Sequence, residues 1–83
     1  MQQTFVTSNE IVNSNKQVQS NCNTIIFFNQ GSSTCTIDQL ILTPGMSWSI
    51  EGNSNELNQT YYNVIFSGNY GNLLITRKIL QNI

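Results

Sequence analysis

The chain has 83 residues, enough for one domain near the lower size limit for a core that is stable without a staple or a partner subunit. Its formal net charge is −1, from three basic and four acidic residues. Arg77 and Lys78 are the only adjacent basic pair and Lys16 stands alone, so the positive surface of a nucleic-acid-binding protein is missing. We therefore expect no nucleic-acid partner.

Uncharged polar residues dominate the composition. Asn, Gln, Ser and Thr account for 38 of the 83 residues, with 13 Asn and 8 Gln. A solitary soluble protein usually carries a more charged surface. Amide and hydroxyl groups suit a protein within a dense assembly, because ions are costly to desolvate. Codon bias in an AT-rich genome is the alternative explanation, and composition alone leaves both open.

The first ten residues lack the basic and apolar regions of a signal peptide. The longest apolar run, Ile25–Phe28, is far shorter than the roughly 20 residues that span a bilayer. We expect synthesis in a cytoplasm, without an export signal and without a membrane span.

Cys22 and Cys35 are the only cysteines. In a reducing cytoplasm, two cysteines are more often buried small hydrophobes than a disulfide. Two thiolates without a histidine are also too few for a structural zinc site. We expect both thiols to be free, and we expect no metal or other cofactor.

The first 23 residues give the weakest structural pattern. Short strands are predicted at Thr4–Thr7 and Glu10–Val12. The polar stretch Asn13–Asn23 fits a strand with a solvated face, an arm that orders against a neighbour, or a frayed terminus, and the pattern leaves these open. We assign residues 1–23 to an amino-terminal arm or edge strands, and residues 24–83 to a β-sandwich domain.

A hairpin is predicted after residue 23. Ile25–Phe28 is a continuous apolar run, as expected of a strand that is covered on both faces. Residues 29–33 are rich in turn-forming types, and Thr34–Ile37 alternates threonine with apolar residues. In this antiparallel hairpin Phe28 lies opposite Cys35, and Cys22 is too far along the partner strand to form a disulfide.

The next stretch contains a predicted turn between two strands. After Leu40–Leu42, Pro44 and Gly45 occupy the second and third positions of a type II β-turn, where the third position needs a positive φ. Apolar and polar residues then alternate at positions 46–50, which predicts a strand with Met46, Trp48 and Ile50 on one face. A polar loop follows at residues 52–58.

Two further strands end the chain. Residues 60–66 form a predicted strand with Tyr62, Val64 and Phe66 on its inward face. Tyr61 and Ile65 lie on the opposite face. Residues 67–72 hold two glycines around Asn69-Tyr70, which is a hairpin signal, and residues 73–80 form the last strand. About six to eight short strands without a helical period predict an all-β fold, a small antiparallel β-sandwich that is a reduced form of a jelly roll. A conventional jelly roll is expected to need a longer chain. The predicted core residues are Phe28, Ile37, Trp48, Ile50, Tyr62, Val64, Phe66 and Ile75.

The sequence contains few side chains that could act as a catalytic acid, base or nucleophile. Histidine is absent, and neither cysteine has a base to activate it. Glu51 and Glu56 are carboxylates in or beside one polar loop, without a cleft for a sugar substrate. Oxygen-bearing side chains at positions 51, 53 and 55 are similar to the start of a calcium loop, but the distal glutamate spacing is missing, so a turn is favoured. We expect no enzymatic activity and no catalytic or metal-binding residues.

Exposed aromatic residues suggest a contact surface. Tyr70 lies at a predicted turn tip and Tyr61 on a predicted outward face, and aromatic rings of this kind stack on sugars. Packing in a core or an interface is the more common use of such residues. Ile65, Leu74 and Leu80 alternate with the core set and form a candidate apolar interface.

The order of elements resembles small β-sandwich virion proteins of bacteriophages. The resemblance covers roughly residues 23–78: a strand near Ile37, the Pro44-Gly45 turn before an alternating strand, the Gly52-Asn53 loop, and the pattern Tyr62-x-Val64-x-Phe66. It implies a structural role as a minor capsid, penton or vertex, decoration or spike-base protein. It implies no catalytic residues.

The leading hypothesis is a non-enzymatic phage virion protein that forms homo-oligomers and contacts other virion proteins, located in the virion after synthesis in the host cytoplasm. One alternative is an attachment module that binds a host receptor or carbohydrate through Tyr61, Tyr70 and the loop at residues 52–58. The other alternative is a small inhibitor of a host protein.

Overall fold

The computed structural model of the chain describes residues 3–53 and 56–82. These residues form eight β-strands, and no helix among them could cross a membrane. The strands in chain order are β1 (Gln3–Val12), β2 (Lys16–Gln19), β3 (Thr24–Asn29), β4 (Cys35–Ile37), β5 (Leu40–Leu42), β6 (Ser47–Ile50), β7 (Tyr61–Phe66) and β8 (Leu73–Asn82).

The strands form two antiparallel four-stranded sheets. Sheet A has the order β1-β8-β3-β6 and sheet B has the order β2-β7-β4-β5. The pairs β1·β8, β2·β7, β3·β6 and β4·β5 are those of one long hairpin wound on itself, which is the jelly-roll arrangement. The predicted small β-sandwich is confirmed. The expectation that a jelly roll needs a longer chain is wrong, because strands of three or four residues complete the winding.

The two short strands predicted near the amino terminus are one continuous strand. β1 is paired with β8 without interruption from Gln3↔Asn82 to Val12↔Leu73. On its other side, β8 is paired with β3 only as far as Lys78. Residues 3–6 and 79–82 therefore extend past β3 as a two-stranded ribbon, which we call the terminal ribbon, and the molecule measures 47 × 18 × 16 Å.

The first 23 residues contribute one edge strand to each sheet, β1 to sheet A and β2 to sheet B. Val12, Val18 and Cys22 are buried in the same cluster as the core residues of the later strands. The amino-terminal region therefore supplies part of the core between the sheets.

The core lies between the two sheets. An aromatic group joins them: the Phe27 ring of sheet A stacks on Trp48 with centroids 5.7 Å apart and contacts the edge of Tyr62, from sheet B, at 5.3 Å. Such pairs add to the stabilisation from area burial. The buried hydrophobic residues are Val12, Val18, Cys22, Ile25, Phe27, Cys35, Ile37, Leu42, Tyr62, Val64, Phe66, Leu73 and Ile75.

Most residues expected in the core point inward. The buried ones are Ile37, Tyr62, Val64, Phe66 and Ile75, while the half-buried Trp48 and Ile50 pack against the core. Phe28 is the exception, because Ile25 and Phe27 are the inward residues of β3 and Phe28 lies on the opposite face. The prediction that residues 25–28 are covered on both faces is wrong. Met46, expected beside Trp48, precedes β6 and is exposed.

Both hairpins predicted from turn-forming residues are wrong. β3 and β4 lie in different sheets, and so do β7 and β8. The segments between them, residues 30–34 and 67–72, are arches that cross from one sheet to the other. Cys35 faces Leu42 and Phe66, rather than Phe28.

The turn at Pro44-Gly45 is confirmed. Gly45 has a φ of +88°, and the Met46 amide donates a hydrogen bond to the Thr43 carbonyl at 3.0 Å, as a type II turn requires. The fully buried Asn29 anchors this turn, since its backbone amide donates to Met46 and its carbonyl accepts from Gly45.

Candidate interaction site

An apolar row crosses the outer face of sheet A. Ile11 of β1 lies beside Leu74 of β8, and Leu74 lies beside Phe28 of β3. Ile11 is 56% exposed, and the other two are half-buried although no second sheet covers this face. We call Ile11, Leu74 and Phe28 the apolar row. Exposed apolar side chains that are contiguous in this way are typical of protein–protein contact sites.

Ile26, on the same outer face as the apolar row, extends it along β3. Its neighbours in the sheet are Thr76 and Ser49, which are short and uncharged. Farther along β8, the Lys78 ammonium lies 4.5 Å from the centre of the Phe5 ring, a cation–π contact. The outer face of sheet A is therefore apolar toward the arches and has a positive charge near the terminal ribbon.

The outer face of sheet B is also apolar in part. Ile41 and Ile65 are both exposed and flank Thr36, which is paired with each of them. Tyr61 is exposed on the same face, next to Gln19 of the edge strand. The charged group that bonds to this face is Asp38, whose carboxylate accepts from the backbone amide of Asn63 at 3.0 Å and from its side chain at 3.4 Å.

The arches and the neighbouring loops gather at one end of the sandwich. Residues 13–15, 30–34, 43–46 and 67–72 connect strands there and contain no charged side chain. Tyr70 is 76% exposed, while its backbone amide donates to the Ser33 hydroxyl at 3.3 Å. A Cβ on Gly71 would lie 2.5 Å from the Phe66 ring, so only glycine permits this close approach of the arch to the core.

An open groove of about 620 Å³ lies at the arch end and is lined in part by Asn69, the residue before Tyr70. Its lining is mainly polar, and the Asn15 side chain at one side accepts a hydrogen bond from the Phe66 amide at 2.8 Å. The groove therefore offers mainly amide and hydroxyl groups. The lining residues are Asn13, Ser14, Asn15, Phe66, Ser67, Gly68 and Asn69.

A small group of charges joins the edges of the two sheets. The Glu10 carboxylate accepts hydrogen bonds from Lys16 at 2.8 Å and from Arg77 at 2.9 Å. The hydrogen bond from Lys16, followed by the hydrogen bond and charge of Arg77, outweighs burial and holds the pKa of Glu10 below its ordinary value. Arg77 also donates to the carbonyls of Gln19 and Ser20 at 3.0 Å, so its guanidinium ties β8 to the end of β2.

The loop after β6 is held by Asn23, a buried residue. The Asn23 amide donates to the carbonyls of Asn53 and Glu56, and its side-chain oxygen accepts from the Leu80 amide at 2.6 Å. The Asn53 side chain donates to the Glu56 carboxylate. These contacts are those of a local turn. Position 55, the third oxygen position of the calcium-like pattern, lies outside the described residues.

Both cysteines are free and fully buried. Burial raises the pKa of Cys22, and it raises the pKa of Cys35 to about 11. Both groups are therefore thiols rather than thiolates at neutral pH, and thiolate is the nucleophilic form. Among residues 3–53 and 56–82, no group of three or more His, Cys, Asp or Glu side chains has the arrangement of a metal site.

The five predicted contact residues lie on three separate surfaces. Leu74 and Leu80 are on the outer face of sheet A, Tyr61 and Ile65 on the outer face of sheet B, and Tyr70 at the arch end. Sequence reasoning missed Ile11, Ile26 and Ile41. Alternation along the whole of β1 would have placed Ile11 on the same face as Phe5, but the strand was predicted as two pieces.

No protein-family model matches the sequence, and a search of curated proteins finds no match. A de novo designed double-stranded β-helix, solved by solution NMR, is similar in structure. The two chains are 17% identical with a TM-score of 0.49, and the match covers 94% of this chain and 99% of the designed one.

Proposed function

We propose that the protein is a non-enzymatic structural protein that acts through contacts with copies of itself and with other proteins of a bacteriophage virion. The apolar row on the outer face of sheet A carries the proposal. Such a row is costly to leave in water, and burying it against a partner is favourable by roughly 25 cal/mol per Å² of apolar area.

The distribution of charge supports the same proposal. Glu10 is engaged in two ion pairs, and the arch end carries no charge, so few ions would have to be desolvated when a partner binds. Neither cysteine suits a nucleophile, because both are buried and burial raises the pKa of each. Jelly rolls occur in viral capsid proteins, lectins and cupins alike, so the fold is compatible with the virion role without selecting it.

The test is association with particles. Tagged protein should sediment with purified virions and be detected in them by mass spectrometry. Ile11→Lys should reduce the incorporated amount at least about tenfold, because a charge in an apolar contact costs more than 1.4 kcal/mol. The matched control is Thr43→Lys, an exposed position at the arch end. Absence from particles, or equal loss for both variants, would refute the proposal.

A second candidate function is carbohydrate or receptor binding at the arch end. The observation that favours it is a neutral groove at the arch end, lined in part by Asn69, together with the highly exposed Tyr70 that follows Asn69 in the sequence. Glycan-array binding that disappears in Tyr70→Ala and persists in Tyr61→Ala, on the outer face of sheet B, would support this function. A glycan array without any binding signal would contradict the carbohydrate-binding function.

A further inference from the structure

The four sheet edges differ greatly in length. Three edge strands have three or four residues: β2, β5 and β6. The fourth, β1, has ten. Short edge strands are one of the ways in which proteins prevent pairing with other chains, so β1 is the edge that is left available.

Residues 3–9 of β1 also lack the other protective features of edge strands, and the charged Glu10 lies beyond them. The strand contains no lysine, arginine, proline or glycine, and its register with β8 is continuous, without a bulge. On the opposite side of the ribbon, the backbone of β8 is bound by Asn23. The Asn23 side-chain oxygen accepts a hydrogen bond from the Leu80 amide, and the Asn23 backbone amide donates one to the Lys78 carbonyl. Among the described residues, no comparable group binds the outward backbone edge of β1.

The side chains favour a second copy of the same strand as the partner. Antiparallel pairing about a two-fold axis at Val6 would align residues 3–9 with their copies. Val6, which is 48% exposed, already lies beside Ile79. Pairing about this axis would therefore bring together four apolar side chains, Ile79 and Val6 with the same two residues of the second copy. Glu10, the charged residue of β1, falls outside the overlap, so no like charges face each other.

The fold leaves room for this pairing. The overlap is centred on the terminal ribbon, where β8 is no longer paired with β3. The edge strand of sheet B lies nearer the other end of β1, as the Lys16–Glu10 contact shows. Among the described strands, no other strand with a free edge approaches β1 in length, so β1 is its own best match.

We propose that β1 is a dimerisation strand that pairs antiparallel with β1 of a second copy about an axis at Val6, joining two A sheets into one eight-stranded sheet. This deepens the proposed assembly role and rests on it. Isologous two-fold contacts are the commonest form of self-association.

The first experiment measures mass by sedimentation velocity over a wide range of concentration. The wild-type protein should have about twice the chain mass of 9.4 kDa. Val6→Lys sets two like charges opposite each other at the axis and should give a monomer that keeps the wild-type circular dichroism spectrum. The control, Ser49→Lys on the short edge strand β6, should remain a dimer.

The second experiment is oxidative cross-linking. Val6→Cys places two thiols directly across the axis, at the Cα separation of about 4.5–5.5 Å that a disulfide tolerates. Thr4→Cys places them about 14 Å apart, at roughly 3.4 Å per residue, and should not cross-link. Cys22 and Cys35 are buried and do not compete.

A wild-type protein that is monomeric at every concentration would overturn the proposal. The proposal would also fail if this monomer bound a peptide of another protein along β1. A dimer insensitive to Val6→Lys, or equal cross-linking of both cysteine variants, would overturn it too. Particle association reports on the proposed function independently, because a monomer that enters virions through the apolar row contradicts only the dimer.

Discussion

Two buried asparagines, Asn23 and Asn29, hold the irregular segments of this protein in place. Each uses both its amide nitrogen and its amide oxygen, and the partners are mostly backbone groups of distant segments. A buried backbone group without a partner costs about 1–3 kcal/mol. In a chain so rich in asparagine, these two therefore have a structural role that composition does not reveal.

Asn29→Ala should lower the free energy of unfolding by about 2–4 kcal/mol. The Asn29 amide donates to the carbonyls of Ser33 and Leu42, both at 2.9 Å, and its oxygen accepts from the Gly31 amide. All three partners would lose a hydrogen bond inside the protein. Urea unfolding measures the change. Asn69→Ala, at an exposed position of the arch end, is the control, and similar losses for both variants would contradict this role of Asn29.

Glu10 gives stability a predictable pH dependence. Its pKa in the folded protein lies below the ordinary value of 4.5, so the folded state favours the charged carboxylate. The stabilisation is complete above the unfolded pKa and is lost as the pH falls through the folded pKa. The stability difference between wild type and Glu10→Gln should thus be constant near neutral pH and shrink below about pH 4.5.

Chemical unfolding at a series of pH values measures this difference. Glu51→Gln is the control, because Glu51 is exposed and forms no ion pair within the described part of the chain. A difference for Glu10→Gln that is unchanged down to pH 3 would show that the contacts with Lys16 and Arg77 do not favour the charged form.

Alternation predicted the orientation of side chains well where polar and apolar residues alternate. In β7 the inward Tyr62, Val64 and Phe66 follow directly from the pattern. In β3 the whole run of residues 25–28 is apolar, so periodicity cannot tell which face is inward. The structure resolves this by register, which places Phe28 beside Leu74 in the apolar row.

At the scale of elements, the sequence predicted the strands better than their partners. Turn-forming residues at 29–33 and 67–72 predict hairpins, but both segments are arches between sheets. Glycine and asparagine permit the sharp backbone change in either case. The choice depends on distant contacts, such as the Gln30 amide donating to the Asn72 carbonyl at 3.0 Å, and local composition contains no information about them.

The Pro44-Gly45 turn is the element whose sequence signal was specific, and it gives a sharp prediction. Gly45→Ala should cost about 1–2 kcal/mol, because φ is +88° and L-residues with a Cβ are strained there. No atom lies within 4 Å of the added Cβ, so the cost is one of backbone conformation alone. Thermal unfolding would measure it.

Gly45→Asn is the matched variant, since asparagine tolerates positive φ better than alanine does. It should lose clearly less stability than Gly45→Ala. Equal losses would mean that the turn conformation differs from the type II geometry described above.

At the scale of the whole molecule, the question is whether residues 1–23 fold with the rest. The structure places Cys22 from that region and Cys35 from the later region in one buried cluster. If the sandwich opens as a single cooperative unit, thiol-labelling reagents should modify both cysteines at the same rate, and only through global unfolding.

Pulsed labelling with mass spectrometry distinguishes the two sites. Added denaturant should accelerate both reactions equally. Faster labelling of Cys22 under native conditions would instead indicate that the amino-terminal region opens independently, as an arm would.

The pairing of β1 with β8 has a consequence for biosynthesis. Gln3 meets Asn82, so sheet A cannot be completed until residue 82 has left the ribosome. Contacts between residues so distant in sequence slow folding, and unpaired strand edges are exposed in the meantime. The nascent chain is thus vulnerable to misassembly, because β1 stays unpaired until β8 has been synthesised. Joining residue 82 to residue 3 through a short linker, with the chain opened in a surface loop instead, should make this contact local and speed up folding.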